Sequence, residues 1–586
     1  MDESQIKEFL AQKDVQNYLN RISIDINEID EYMDERDWRV KESANSSFCM
    51  ATLNNYLSGS LIARYVLEKY YPKNVADAHR KGFIHIHDLS CGMVAYCAGW
   101  SLKDLIKKGF VGKNGRASAG PAKHFDTILQ QMANFIATLQ TEWAGAQAFN
   151  SFDTFLAPFV KHDGLNYKQV KQSIQNFIFQ LNIASRSGQS PFSNLTIDMT
   201  CPEDLKNVPV VIGGEENYDS FYSDYQPEMD MINKAFLEIM YKGDHEGKIF
   251  SFPIPTYNIT KDFPWDSEIS RLLFKATGRY GLPYFQNFIN SDLDVREVRS
   301  MCCRLQMDIR QLKKKTGGLF GASDLTGSVG VCTLNMPRLC YLSNGDTNEL
   351  FRLIKEYVTI SVQSLEIKRL KVSENLKRGL MPYTSIYLKD FDHHFSTVGL
   401  LGMNEGCQNF FKDRNIDITT RQGKELAEDV LVYMRGLLQE AQTTTGNIYN
   451  LEATPGEGTT FRFANLDRKE FGDKIIQSGT GDNVYYTNST QLPVGYTSDI
   501  IQALNHQESL QSKYSGGTVF HAFLGESIES SEVIKNMVKN IATNYHIPYF
   551  TITPTFSICP VHGYISGAHE KCPFDVDNSK PIKDMQ

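Results

Sequence analysis

The chain has 586 residues, 41% of them hydrophobic and 22% charged, with 41 glycines and 20 prolines spread along it. That is ordinary globular composition, which excludes disordered, collagen-like and coiled-coil architectures and leaves room for several domains or one large α/β barrel. The net charge of -9 argues against a protein that coats nucleic acid electrostatically.

The N-terminus, Met1-Asp2-Glu3-Ser4-Gln5, lacks the basic-then-apolar pattern of a signal peptide. No apolar run reaches the roughly 18 residues of a membrane span. Eleven cysteines without an export signal read as thiols in a reducing compartment, so a cytoplasmic location and no membrane partner are expected. Residues 1–57 read as helical, with apolar Ile6, Leu10, Val15 and Leu19 among many acids. Apolar residues at the 3.6 period predict helices over 128–139, 170–181, 350–362 and 426–438. Short apolar runs at 208–212, 249–253, 329–336, 448–451, 519–524 and 548–553 suit buried strands, most of them flanked by glycine, proline or asparagine. Helices alternating with such strands predict an α/β fold with parallel strands, open or closed. The composition changes near Pro554, where a Cys/His segment begins.

Several segments carry chemistry-bearing side chains. His85 and His87 alternate with isoleucines and so share one face of a strand, as structural histidines or, given a third ligand, as a metal site. Cys303, in Met301-Cys-Cys-Arg304, lies beside a guanidinium that would lower a thiol pKa, and precedes Lys313-Lys-Lys315 and a glycine-rich stretch. Cys303 and Cys97 are each either reactive thiols or small buried hydrophobes. After the strand at 448–451, residues 453–460 (Ala-Thr-Pro-Gly-Glu-Gly-Thr-Thr) turn into a helix, and small residues there let backbone N–H groups approach an anion. Thr454, Gly456, Gly458, Thr459 and Thr460 form either such a phosphate turn or an ordinary tight one. At the C-terminus, Cys559-Pro-Val-His562 and Cys572-Pro-Phe-Asp575 place paired ligands two residues apart on two knuckles, as a structural Zn2+ site requires. The fourth ligand would be Asp575, His569 or water; the alternative is a loop with two unrelated cysteines.

Together these segments resemble the catalytic subunit of the anaerobic (class III, glycyl-radical) ribonucleoside-triphosphate reductases. The matching stretches include His85-Ile-His-Asp-Leu89, Tyr96-Cys-Ala-Gly-Trp-Ser-Leu102, Glu142-Trp-Ala-Gly-Ala-Gln-Ala-Phe149 and Asn194-Leu-Thr-Ile-Asp198. Met301-Cys-Cys-Arg304, Asn335-Met-Pro-Arg338, Gly402-Met-Asn-Glu405, Tyr449-Asn-Leu-Glu-Ala-Thr-Pro455 and Asn488-Ser-Thr-Gln-Leu-Pro493 follow in order, then the Cys559 segment. The resemblance implies a ten-stranded α/β barrel over 41–553, built of two five-stranded halves, with a finger loop near 300–305. An N-terminal helical segment (1–40) would precede it and a zinc-binding tail (554–586) would follow. It implies that Cys303 at the finger tip becomes the thiyl radical that removes the ribose 3′-hydrogen, that Cys97 helps reduce the 2′ position, and that the 453–460 turn binds substrate phosphate. It also implies ribonucleoside triphosphate substrates, deoxynucleotide and ATP effectors, an S-adenosylmethionine iron–sulfur activase and a homodimer. The reductant is either formate or a thiol redoxin.

Two departures from the family pattern set further expectations. No ATP-cone precedes residue 40. After Asp575 no Arg-Val-x-Gly-Tyr segment follows, and the usual fourth zinc cysteine is replaced by aspartate. The radical glycine is therefore expected on a separate chain. The competing expectation is a catalytically silent nucleotide-binding homologue acting as a regulatory or heterodimer partner.

Overall fold

The computed structural model describes residues 27–35, 48–113, 115, 117–291, 325–481, 483–493, 495–559, 563–566 and 583–584, with the backbone alone at 457 and beyond 555. Eleven strands form one mixed sheet, ten of them in a continuous path. In chain order these ten are β1 (Cys97–Trp100), β2 (Gln147–Phe149), β3 (Ser193–Ile197), β4 (Ile254–Ile259), β5 (Tyr284–Asn287), β6 (Gly327–Asn335), β7 (His394–Leu401), β8 (Tyr449–Glu452), β9 (Phe520–Leu524) and β10 (Tyr549–Pro554).

Strands β1 to β5 run parallel in sequence order. Strands β6, β7 and β8 are parallel to one another, as are β9 and β10. The two sets meet antiparallel at both seams: Cys97 and Ala98 pair with Ser328 and Gly327, while Tyr549 and Phe550 pair with Gln286 and Phe285. The remaining gap, between β8 and β9, is bridged by backbone bonds from Ala453 N–H to Gly517 O and from Gly516 N–H to Leu451 O, both 2.8 Å. Those bonds close the ring as two five-stranded halves. The eleventh strand, Ile84–Ile86, pairs antiparallel with the carboxyl half of β6.

Every residue of β6 and of β7 is buried, as expected for strands covered on both faces. Helices supply the outer cover. The predicted helices at 128–139 and 170–181 are α2 (Phe125–Leu139) and α3 (Tyr167–Leu181), each burying its periodic apolar stripe. Asn166 and Gln169 close a capping box at the start of α3. Those at 350–362 and 426–438 are the cores of longer helices, α5 (Thr347–Lys377) and α7 (Arg421–Thr445). Within 1–57, the described helices are Asn27–Met33 and α1 (Met50–Lys69), and α1 runs past 57 without a break.

Two strand expectations need correction. The run at 249–253 is not a strand, since Pro253 offers no ladder N–H and β4 begins after it. The run at 208–212 is a strand over Pro209–Ile212, but it pairs with Glu215–Phe221 in a separate hairpin, turned by Gly213 and Gly214 at φ 61° and 87°.

At the β1–β6 seam the backbones approach so closely that a Cβ on Gly327 would lie 2.0 Å from Cys97 O. Gly327→Ala should therefore destabilise the protein by about 2 kcal/mol or more in urea titration. Gly436, inside α7 with nothing within 4 Å of its Cβ position, should give a gain of roughly 0.5–1 kcal/mol on change to alanine. Equal responses of the two variants would contradict the packing described.

Candidate active site

The carboxyl ends of β6, β7 and β8 meet at one end of the barrel, and the structure gathers the His85, Asn335, Gly402, Tyr449 and Asn488 stretches there. The turn after β8 leads into α8 (Glu457–Phe471), whose N-cap residue is Gly456 and whose first turn has no side-chain cap. Thr454 is 1% exposed, and its hydroxyl has no hydrogen-bond partner among the described residues. Thr454 fits only because β7 carries Gly399 opposite it, where a Cβ would sit 2.3 Å from Thr454 Oγ1. Thr459 and Thr460 are buried beside it. Asn488 Oδ1 accepts from Gly456 N–H at 3.2 Å, fixing the turn.

That asparagine is itself tethered. Gly402 and Met403 N–H donate to Thr487 O and Ser489 O at the start of α6 (Met403–Phe411). Glu405 accepts from Thr487 N–H at 2.9 Å, Thr487 Oγ1 at 2.8 Å and Ser478 Oγ at 2.6 Å. The Gly402–Glu405 and Asn488–Pro493 motifs thus brace the turn after β8. Glu142 is likewise a brace: its carboxylate accepts from Tyr383 N–H and Thr384 N–H at 2.9 and 2.8 Å.

Helix α8 is fastened to β6 by a fully buried ion pair. Arg338, on α4 (Met336–Ser343), is 0% exposed, and its Nε lies 2.6 Å from Asp467 Oδ1 on α8, also 0% exposed. Arg338 Nη2 lies 2.8 Å from Glu470, and the guanidinium sits between the Phe83 and Phe471 rings at 4.9 and 5.1 Å. Asn335 Nδ2 and the Tyr486 hydroxyl both donate to Asp467 Oδ2, at 3.0 and 2.8 Å. Burial pushes the Asp467 carboxyl up, and Arg338 and these donors hold it down.

Cys97 opens β1 and is 1% exposed, packed with Ala146, Tyr96 and Phe192. His87 Nε2 meets Thr333 Oγ1 at 2.8 Å, and the His85 ring is edge-on to His87 at 4.6 Å. A third imidazole, His79, lies 5.3 Å from His85, but its Nδ1 accepts from Ile86 N–H. Among the described residues no three His, Cys, Asp or Glu side chains are arranged to hold a metal, so here these histidines read as structural.

Among the cations that escaped sequence reasoning, one is buried and one half-buried. Lys368 of α5, 3% exposed, passes its stem over Gly330, where a Cβ would meet Lys368 Cδ at 2.7 Å. Burial lowers its pKa, against the fields of Asp88, Cys91, Cys332 and Cys97. Arg462 of α8 donates from Nη2 to His79 O at 2.5 Å. Burial and then Arg338 bring its pKa down to about 10. Both residues look like surface charges on amphipathic helices, and only the tertiary fold shows otherwise. Cys302, Cys303, the expected finger loop, His562, His569, Cys572 and Asp575 lie outside the described residues, and Cys559 is described in its backbone alone.

Burial pushes His87 down to about 3, and likewise His394, which packs against Trp143 and Phe391. The unfolded chain protonates these imidazoles near 6.5. Between the two values the unfolded state binds more protons, so stability should be lost as pH is lowered, by up to about 1.4 kcal/mol per pH unit and per imidazole. His394→Phe should flatten that slope in denaturant titrations between about pH 6 and about pH 4. A slope equal to the wild type would contradict the neutral buried state.

Comparison with known proteins places this geometry. Residues 42–580 match the profile of the anaerobic ribonucleoside-triphosphate reductase family. The anaerobic ribonucleoside-triphosphate reductase of Enterobacteria phage T4 is 22% identical, over 91% of this chain and 89% of its own length. The enzyme of Salmonella typhimurium is 24% identical, over 88% of this chain and 74% of its own. Among solved structures, the anaerobic ribonucleotide reductase from Thermotoga maritima in complex with dATP and CTP superposes with a TM-score of 0.72 at 22% identity, covering 98% of this chain and 94% of that one. Hydroxyproline dehydratase from Clostridioides difficile superposes at 0.51 with 11% identity, covering 86% and 80%, so the barrel alone does not fix the reaction. The family profile spans nearly the whole sequence, and the chain belongs to the anaerobic ribonucleoside-triphosphate reductase family.

Proposed function

We propose that the chain reduces ribonucleoside triphosphates to 2′-deoxyribonucleoside triphosphates by thiyl-radical chemistry. The observation that carries this reading is a sealed thiol, Cys97, at the head of β1 in the same closed barrel whose β8 ends in an uncapped helix start with an unpartnered buried hydroxyl. In this reading Cys303 is the radical thiol that takes the 3′-hydrogen, and Cys97 serves the reduction at the 2′ carbon. Thr454, Gly456, Gly458, Thr459 and Thr460 hold the phosphates. A closed pocket serves such chemistry by holding the sulfur at the ribose and shielding the radical from side reactions. The dATP and CTP bound to the Thermotoga protein support nucleoside triphosphates as substrates here and deoxynucleotides as effectors.

In the same reading a separate chain carries the radical glycine, charged by an S-adenosylmethionine iron–sulfur activase. Cys559, His562, Cys572 and Asp575 hold a structural Zn2+. One feature suits the metal: Phe556–Cys559 pairs antiparallel with Gly563–Ser566, with Cys559 opposite Gly563. Zinc would tie the tail together without entering the reaction.

Anaerobic CTP reduction, with the radical-bearing chain and activase added, tests the proposal. Wild-type protein should form dCTP, and Cys303→Ser and Cys97→Ser should each reduce turnover to background. Nucleotide binding without any turnover would favour the silent regulatory homologue. Elemental analysis should find roughly one zinc per chain, lost in Cys559→Ser; a metal content that the substitution leaves unchanged would remove the zinc assignment.

A further inference from the structure

The start of α8 is surrounded by buried hydrogen-bonding groups with nothing to bind. Besides the Thr454 hydroxyl, Arg462 Nη1 and His85 Nδ1 are enclosed without a partner among the described residues. A continuous set of contacts joins them. Thr454 Oγ1 and Thr333 Oγ1 both lie against Gly399, His87 Nε2 bonds Thr333 Oγ1, His85 stacks edge-on to His87, and Phe463, next to Arg462, lies edge-on to His85 at 6.3 Å. Helical Cα–Cβ bonds tilt toward the N-terminus, so the Arg462 side chain leans back over the turn that holds Thr459.

The guanidinium has little else to pair with. Its helix-mate Asp467 is taken by Arg338, and among the described residues no carboxylate forms an ion pair with Arg462. The neighbouring His79, His85 and His87 are kept neutral by burial. The bond from Nη2 to His79 O accounts for one edge of the fork only. A half-buried guanidinium with one enclosed donor left over costs free energy until an acceptor meets that donor.

We propose that Arg462 is a phosphate-reading residue: with the Thr454 hydroxyl and the first turn of α8 it forms a cradle for a chain of phosphates, and it sets the preference for nucleoside triphosphates. The inference rests on reading residues 453–460 as the phosphate turn and adds the residue that reads the phosphates farther along. Lysine in its place would supply charge without the planar two-pronged donor.

Calorimetric titration of the full chain with sodium tripolyphosphate and with orthophosphate tests it. Wild-type protein should bind tripolyphosphate much more tightly than orthophosphate. Arg462→Gln should weaken tripolyphosphate binding about 30-fold, the scale of one charged hydrogen bond, and change orthophosphate binding little. If Arg462→Gln does not fold, Arg462→Lys decides, with an expected loss of about 10-fold for tripolyphosphate alone. Unchanged tripolyphosphate binding in the folded Arg462 variant, with binding weakened in Thr454→Val, would overturn the inference and leave the phosphate turn standing. Failure of wild-type protein to bind tripolyphosphate would overturn both.

Discussion

The ion pair between Arg338 and Asp467 is the constraint on which the rest of the site depends. Neither side chain touches solvent, and the guanidinium is clamped between two phenylalanine rings while the carboxylate takes two further donors. Removing one partner of such a pair leaves an uncompensated buried charge, at a cost of about 3–5 kcal/mol. The pair ties the helix after β6 to the helix after β8. It therefore sets the position of the α8 start against the carboxyl ends of β6 and β7, where Thr333 and Gly399 lie.

Around that fixed point, much of what resembles an active site turns out to be bracing. Glu142, Glu405 and Asn488 spend their polar atoms on backbone N–H groups and neighbouring hydroxyls. Groups with capacity left over sit together: the Thr454 hydroxyl, one edge of Arg462 and one nitrogen of His85. Buried polar groups are normally satisfied, and the proposed phosphate would meet the first two of these. The likeness of the barrel to a dehydratase makes the same point, since a shared frame carries different reactions according to which groups its interior leaves unspent.

The helices α2, α3, α5 and α7 and the strands β6, β8, β9 and β10 were legible because each carries or adjoins a run of apolar residues. The others were not. β1, β2, β3 and β5 are three to five residues long and include glycine or polar side chains such as Gln147, Asn194 and Gln286 that are buried toward the barrel interior or its seams. β4 contains Pro255, and β7 mixes His394, Ser396, Thr397 and Gly399 with its apolar residues. Periodicity cannot report a strand whose polar groups are all buried. The turn from β8 into α8 was readable, since its small residues run directly from strand into helix. The Arg338–Asp467 pair was not, because its partners lie 129 residues apart and each alone reads as a surface charge. Cys97 stood out through its neighbours in a recognisable motif, and nothing in local spacing distinguished it from the other buried thiols.

The central claim is that a thiyl radical on this chain takes the ribose 3′-hydrogen of a nucleoside triphosphate. Anaerobic turnover of CTP deuterated at the 3′ carbon, with the radical-bearing chain and activase present, tests it most directly. The account predicts that dCTP forms more slowly from the deuterated substrate than from ordinary CTP, and not at all with Cys303→Ser. Equal rates for the two substrates, together with dCTP formation by the serine variant, would contradict it.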